Sequence, residues 1–221
     1  MTACRAMIAD CSALIMAGGD SRRMGSDKTQ IVLGEQTLVE RAIGSVTPLF
    51  AQVFVSVRRY RPEIAWPQVC DAYPDAGPLA GICSGLAHAT TRWVFALAAD
   101  MPFVAPALIA ALAERRQQFD AVVPVVHGYL QPLAAFYSIS GLDRLQAVLA
   151  GGERNPERKP DGLPAQPAAQ RGLRFALEQL NVVYVDQAEL LGIDPTLRSF
   201  FDLDTPQDLA AARVSQMKGT P

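Results

Sequence analysis

Between Leu14 and Lys28 the chain reads Leu14-Ile15-Met16-Ala17-Gly18-Gly19-Asp20-Ser21-Arg22-Arg23-Met24-Gly25-Ser26-Asp27-Lys28, an apolar run that opens into a glycine-rich loop closed by basic residues. Gly18 and Gly19 lack a Cβ, so their backbone N–H groups can turn toward a ligand and come close to it. Arg22, Arg23 and Lys28 add mobile positive charge to the same loop. A nucleoside triphosphate needs both: fixed donors for its oxygens, and cations to offset charge as the α-phosphorus is attacked. The spacing is neither G-x-x-x-x-G-K-[ST], because Met24 and Gly25 occupy the fifth and sixth positions after Gly19, nor G-x-G-x-x-G.

A second candidate is Asp100, which ends the run Trp93-Val94-Phe95-Ala96-Leu97-Ala98-Ala99. A carboxylate at the tip of an apolar strand is costly unless something binds it, and Mg²⁺ held by one or two carboxylates and phosphate oxygens is a natural partner. The alternative is a turn or helix-capping carboxylate before Pro102. Asp202 and Asp204 in Phe201-Asp202-Leu203-Asp204-Thr205-Pro206-Gln207-Asp208 offer further metal or pocket carboxylates where a short strand is expected to give way to a helix. Thr205, Pro206 and Asp208 also read as a plain helix start. Gly77-Pro78-Leu79-Ala80-Gly81 reads as a turn before a helix beginning near Ile82, either offering N–H groups to a phosphate or second substrate or serving as a tight connection. His88 and His127 lack ligand spacing and read as ordinary histidines, as do Cys4, Cys11, Cys70 and Cys83 as reduced thiols without a C-x-x-C pair.

The elements that must hold these residues follow from periodicity. Ala13 to Ala17, Gln52 to Val57, Trp93 to Ala98 and Ala121 to Val126 lack polar alternation, the pattern of strands buried on both faces of a parallel sheet. Thr37-Leu38-Val39-Glu40 is a capping box opening a helix with Leu38, Ala42, Ile43 and Val46 on one face, and Pro106 to Arg116 reads as another with Leu108, Ile109 and Leu112 inward. Alternating strands and helices predict one α/β domain, a doubly wound, mostly parallel sheet with helices on both faces, and a ligand outside the carboxyl ends of the strands. The domain is expected over residues 12–213, between an extension at 1–11 and a tail at 214–221. Residues 151–170, rich in Pro, Gly and Ala and carrying Arg154, Arg158 and Lys159, read as a flexible loop.

A chain of 221 residues, half of it apolar, can bury a large core, and a formal net charge of −2 argues against a general nucleic-acid binder. No apolar run is long enough for a membrane span, and Met1 to Asp10 is too short and polar for a secretory signal, so a cytoplasmic location is expected.

The loop resembles the Leu-Ala-Gly-Gly-x-x-x-Arg-Met-Gly-x-Asp-Lys loop of the molybdenum cofactor guanylyltransferases, with Met16 in place of Leu. Gly77 to Gly81, Ala98-Ala99-Asp100-Met101-Pro102, Gln131-Pro132-Leu133 and Asp202 to Pro206 follow in the family's order. The resemblance implies a Rossmann-like nucleotidyltransferase fold and transfer of GMP from GTP to Mo-molybdopterin with Mg²⁺. It implies contacts to GTP from Met16, Ala17, Gly18, Gly19, Lys28, Ser56, Asp71 and Asp100, with Lys28, Arg22 and Asp100 catalytic and Asp100 and Asp202 on the metal. Gln131-Pro132-Leu133 would lie near the pterin. Molybdoenzyme-specific chaperones and other cofactor-biosynthesis proteins are the partners it implies beyond the substrates, with no nucleic acid and no membrane. Two departures bear on the base. The family's Asn-x-Asn-Thr-Pro is Asp-x-Asp-Thr-Pro here, as in the related cytidylyltransferases, whereas Gly18 replaces the second alanine of their Leu-Ala-Ala-Gly loop and leaves room for a purine. CMP transfer, transfer to a sugar phosphate or other phosphorylated acceptor, and a non-catalytic cofactor carrier are the alternative readings.

Overall fold

The apolar runs fold as strands whose alternate residues serve two different cores. Ala13, Ile15, Val55, Phe95 and Leu97 face one layer, and Leu14, Phe54, Val94 and Ala96 face the other. Period-two alternation with both faces apolar is the signature of a sheet covered by helices on each side.

The computed structural model describes residues 7–18, 30–73, 76–150 and 168–217. In chain order they form β1 (Cys11–Met16), β2 (Val32–Leu33), β3 (Gln36–Thr37), α1 (Leu38–Val46), β4 (Gln52–Val57), β5 (Gln68–Cys70), α2 (Pro78–His88), β6 (Trp93–Ala98) and α3 (Pro106–Glu114). There follow β7 (Ala121–Val126), β8 (Tyr129–Leu130), β9 (Ala134–Ser138), α4 (Leu142–Ala150), α5 (Ala168–Leu177), β10 (Val182–Val185), α6 (Gln187–Leu191) and α7 (Pro206–Met217). The main sheet runs β10-β7-β9-β6-β1-β4-β5, with β8 paired to β7 and a separate β2-β3 ribbon.

β1, β4, β5 and β6 pair in parallel, and so do β7 and β10, whereas β9 is antiparallel to both β6 and β7. The reversal begins at His127 and Gly128, whose φ angles of 51° and 79° form a left-handed pair between Val126 and Tyr129. Such a two-residue turn matches the twist of a hairpin. The chain therefore folds back through β8 and enters β9 in the opposite sense.

α1 and α3 pack with α6 on one face of the sheet, and α2, α4 and α5 on the other. The expected capping box is present: Glu40 donates its amide to Thr37 Oγ1 at 3.2 Å, and Thr37 donates its amide to Glu40 Oε2 at 2.7 Å. α2 approaches the sheet through Gly81 and Gly85, and a Cβ on Gly85 would lie 2.4 Å from Leu14 Cδ2. The absent side chain is what allows Leu14 to be completely buried, an interaction of about 1.5–3 kcal/mol for such a residue.

Three expectations are corrected. The helix expected near Ile82 begins at Pro78, because proline at the first helical position sacrifices no hydrogen bond and its φ is already helical. Residues 201–204 form no strand; their one backbone bond to the sheet region is from Leu203 to the carbonyl of Asp100. The helix expected to reach Arg116 ends at Glu114, with Arg115 as its cap.

Candidate nucleotide site

The parallel register brings three strand ends into one row. Met16 pairs with Ser56, and Ala17 extends the β1–β4 ladder by donating to the Ser56 carbonyl at 3.0 Å. On the other side Val57 pairs with Cys70, and the Asp71 amide continues the β4–β5 ladder to Val57 O at 3.0 Å. One step farther, Gly18, Arg58 and Asp71 therefore stand side by side across the carboxyl ends of β1, β4 and β5.

Asp71 is part-buried, and Ser56 Oγ donates to its Oδ1 at 3.0 Å. Burial raises the pKa of its carboxyl above the ordinary value, while the Ser56 hydrogen bond and the positive charge of Arg58 act in the opposite direction. The next residue is fixed too, because the Ala72 amide donates to the buried Ser84 Oγ of α2 at 3.0 Å.

Gly81 makes this arrangement possible. A Cβ there would meet Met16 Cε and Ser56 Oγ at 2.5 Å each and Asp71 Oδ1 at 3.4 Å. The missing side chain thus lets α2 press against the residues below the row. At the start of α2, Gly77 has φ 68°, a left-handed conformation suited to glycine, and it places the first turn of the helix beside the row.

Asp100 completes the far side. The Ala99 amide donates to Met16 O at 3.1 Å, fixing the end of β6 against the end of β1, and Asp100 follows in a turn. A cavity of about 150 Å³ runs between Gly18, Arg58 and Asp71 at one end and Asp100 at the other, with Gly77 and Leu133 along it. Leu133 arrives from the β8–β9 connection, held by Ala98 donating to its carbonyl at 2.8 Å. This is where a doubly wound sheet places its ligand.

The acidic segment meets Asp100 directly: Leu203 N–H donates to Asp100 O at 2.9 Å, which sets Asp202 and Asp204 on either side of the contact. Asp202 is exposed and Asp204 half-buried. Thr205 and Asp208 also form a reciprocal cap on α7, with Asp208 N to Thr205 Oγ1 at 3.2 Å and Thr205 N to Asp208 Oδ2 at 2.8 Å. The helix-start alternative therefore holds for Thr205 and Asp208, and it leaves Asp202 and Asp204 outside the cap. Among the described residues no three His, Cys, Asp or Glu side chains form a cluster able to cage a metal. Mg²⁺, which retains water and phosphate ligands, needs no such all-protein cage.

Of the residues expected at the site, Met16, Ala17, Gly18, Ser56, Asp71 and Asp100 line the same cavity. Gly19, Arg22 and Lys28 lie outside the described residues, as do Arg154, Arg158 and Lys159. Arg58 and Ser84 were not anticipated, and Gly81 was singled out only within the Gly77–Gly81 turn motif. Arg58 had a signal, since it follows the apolar β4 run by one position as Asp100 follows β6 by two, but a basic residue there reads equally as a solvated turn.

A larger cavity of about 950 Å³ lies at the amino ends of the strands, lined by Asp10, Arg92, Trp93, Arg116 and Asp120 among others. Several of its charges are engaged within the protein: Arg92 with Asp10 at 3.9 Å, Asp120 with Arg144 at 2.8 Å, and Arg116 over the Trp93 and Phe136 rings. The smaller cavity at the carboxyl ends gathers the residues expected at the site and is the candidate functional one. His88 packs edge-on against Phe54, and His127 sits in the hairpin turn, both away from it. Cys11 and Cys83 are buried with thiols pushed up to about 12, which keeps them protonated, whereas Cys70 is exposed.

The family model of the MobA-like NTP transferase domain matches residues 13–161. A protein of Chloroflexus aggregans named "Probable molybdenum cofactor guanylyltransferase" is 39% identical over 211 residues, covering 90% of this chain and 91% of its own length. One of the same name from Opitutus terrae is 40% identical over 162 residues, covering 69% and 80%. Among solved structures, molybdopterin-guanine dinucleotide biosynthesis protein A from Archaeoglobus fulgidus aligns with a TM-score of 0.76 at 28% identity over 94% of this chain and 99% of its own. The 2-C-methyl-D-erythritol 4-phosphate cytidylyltransferase of Thermus thermophilus shares the fold, with a TM-score of 0.59 at 21% identity over 93% and 98%. Among the described residues no helix is long and apolar enough to cross a membrane. Similarity of this extent, over a strand-end site built from the motifs that carry it, shows that the chain belongs to the MobA-like NTP transferases, a family of nucleotidyltransferase enzymes.

Proposed function

We propose that the protein transfers GMP from GTP to the terminal phosphate of Mo-molybdopterin, giving the guanine dinucleotide form of the cofactor and pyrophosphate. The observation that carries this reading is the cavity that connects Gly18, Ser56 and Asp71 with Asp100. A base at the first group places its α-phosphate toward the second. The names of the relatives support the same donor and acceptor.

In this reading an oxygen of the acceptor phosphate attacks the α-phosphorus, and the bond to the bridging oxygen of the β-phosphate breaks. The protein forms no covalent bond, so its contribution is positioning and charge compensation. Asp71 and Ser56 hold the base end. The backbone of Ala17 and Gly18 follows the ribose and α-phosphate. Arg22 and Lys28 supply positive charge to the triphosphate, and the Gly19 amide a donor. Asp100 with Asp202 would hold Mg²⁺, which when bound offsets negative charge on the phosphate oxygens. Leu133 belongs to the acceptor side. A cytoplasmic setting and delivery to molybdoenzymes through chaperones or other cofactor-biosynthesis proteins fit this activity.

The test is calorimetric binding of GTP, CTP, ATP and UTP, with and without Mg²⁺, to the native protein and to Lys28→Ala, followed by pyrophosphate release in the presence of Mo-molybdopterin. Preference for GTP that weakens in the variant, with acceptor-dependent release, is expected. Preference for CTP would replace the donor assignment, and nucleotide binding without release would leave a carrier.

A further inference from the structure

We infer that Arg58 reads the O6 edge of the guanine base, acting with Asp71 as a two-residue selector for the donor nucleotide. The inference rests on the GTP reading above.

It starts from the space above Gly18. An ideal Cβ on Gly18 would lie 3.5 Å from Arg58 Cγ, 3.6 Å from the Arg58 amide nitrogen and 3.7 Å from Asp71 Oδ2. The Arg58 stem and the Asp71 carboxylate thus flank one narrow slot, and a planar group entering over Gly18 meets both. Ser56 occupies one oxygen of Asp71 from beneath. The other oxygen faces the slot.

The two side chains have opposite hydrogen-bonding character. A carboxylate only accepts and a guanidinium only donates. The Watson–Crick edge of guanine presents two adjacent donors, N1–H and the N2 amino group, next to the acceptor O6. Adenine offers one exocyclic donor beside an acceptor nitrogen, and cytosine one donor beside two acceptors. Only guanine gives a carboxylate two neighbouring donors while turning an acceptor toward a guanidinium one strand farther along. Ser56 has a single hydroxyl already directed at Asp71, so within this row Arg58 is the side chain that carries several donors.

The experiment compares GTP with the triphosphate of 2-aminopurine riboside, which keeps the N2 amino group but lacks O6 and, with it, the N1 proton, so that the readout is the ratio of affinities between native protein and Arg58→Met for each nucleotide. Methionine preserves an apolar stem and removes the donors. Arg58→Gln, which retains one amide donor, serves as the second variant, and thermal melting verifies that both fold. Arg58→Met should weaken GTP about 10- to 100-fold, the scale of a charge-assisted hydrogen bond, and leave the analogue within about twofold, with Arg58→Gln intermediate. Equal loss for GTP and the analogue would mean that Arg58 serves the triphosphate or the charge of the site, and would overturn the inference. No loss for either would overturn it as well. If native protein fails to prefer GTP over CTP and ATP, the donor assignment itself falls, a result visible before any variant is made.

Discussion

The backbone amide of Leu203 donates to the carbonyl of Asp100 at 2.9 Å, so the segment before α7 is tied to the turn after β6 although the two are far apart in sequence. The tie sets the carboxyl-bearing neighbours Asp202 and Asp204 around Asp100 without burying all three acids together, which would be costly.

This arrangement predicts a division of labour. Asp100→Asn should lower turnover about 100-fold or more, as removal of one preorganised charge-stabilising group does. Asp202→Asn should act mainly by raising the Mg²⁺ concentration required. The α7 cap belongs to Thr205 and Asp208, so both substitutions leave it in place, and thermal melting verifies that each variant folds. Pyrophosphate release measured across a Mg²⁺ titration separates the two effects. An unchanged titration for Asp202→Asn removes that residue from the metal site.

Gly18 and Gly81 make a contrasting pair. Alanine at Gly18 meets its neighbours at 3.5 Å or beyond, ordinary contact, so the variant should fold normally while a methyl enters the slot beside the base. GTP should weaken by about 10-fold or more, the scale of one methyl in a tight pocket, and CTP should be little affected. Alanine at Gly81 meets Met16 Cε and Ser56 Oγ at 2.5 Å, so α2 or those side chains must move. A loss of roughly 1–3 kcal/mol in stability and weaker binding of every nucleotide follow. Denaturation and calorimetry on the two variants distinguish a filled pocket from a displaced helix.

The fold was legible where the physics is local. The strand runs at Gln52–Val57, Trp93–Ala98 and Ala121–Val126 match to the residue because burial on both faces removes polar alternation. The Thr37 cap is equally local. The reversal of β9 was not visible, since His127-Gly128 is a weak turn signal and antiparallel pairing depends on where the chain goes next. Likewise Asp100 announced itself by ending an apolar run, but Arg58 gains meaning only when the register sets it between Gly18 and Asp71. Gly81 was legible as part of the Gly77–Gly81 motif, but its packing against Met16 and Ser56 was not. Its role is the absence of an atom in a long-range contact.

Asp71 predicts a pH dependence. Burial favours its protonated form, so its folded pKa lies above the unfolded value. Ionisation therefore costs stability as pH rises through the carboxylate range, and none of that cost is present in acid, where both states are protonated. Asp71→Asn should accordingly be as stable as the native protein in acid and equally or more stable at neutral pH. In the proposed reading binding runs the other way, because only the carboxylate accepts two donors from the base. GTP affinity of the native protein should fall on acidification with a midpoint above the ordinary carboxylate value, and Asp71→Asn should lose both the pH dependence and the guanine preference. Calorimetry from mildly acidic to neutral pH measures it; a pH-independent native protein would detach Asp71 from the base.

The approach to Asp100 has its own brace. Asp194 is buried at the start of the turn leading to residue 201, and although burial raises its pKa, hydrogen bonds from Ser199, Thr196 and the Arg198 amide outweigh that and leave the carboxyl below its usual range. Ser199 N donates to Asp194 Oδ2 at 2.8 Å, and Ser199 Oγ accepts from the Ala105 amide at 3.0 Å, joining the turn to the start of α3. A lowered folded pKa means that Asp194 stabilises above its unfolded value and loses that contribution as pH falls through the folded one. Ser199→Ala leaves the part-buried Ala105 amide without its acceptor, a cost of about 1–3 kcal/mol. Since the brace fixes the chain that delivers Leu203 to Asp100, the variant should also need more Mg²⁺ for half-maximal turnover while GTP affinity measured without metal stays the same. Thermal melts, a Mg²⁺ titration and metal-free calorimetry on one preparation test all three, and equal Mg²⁺ curves for variant and native protein would show that the 202–204 segment holds its place without Ser199.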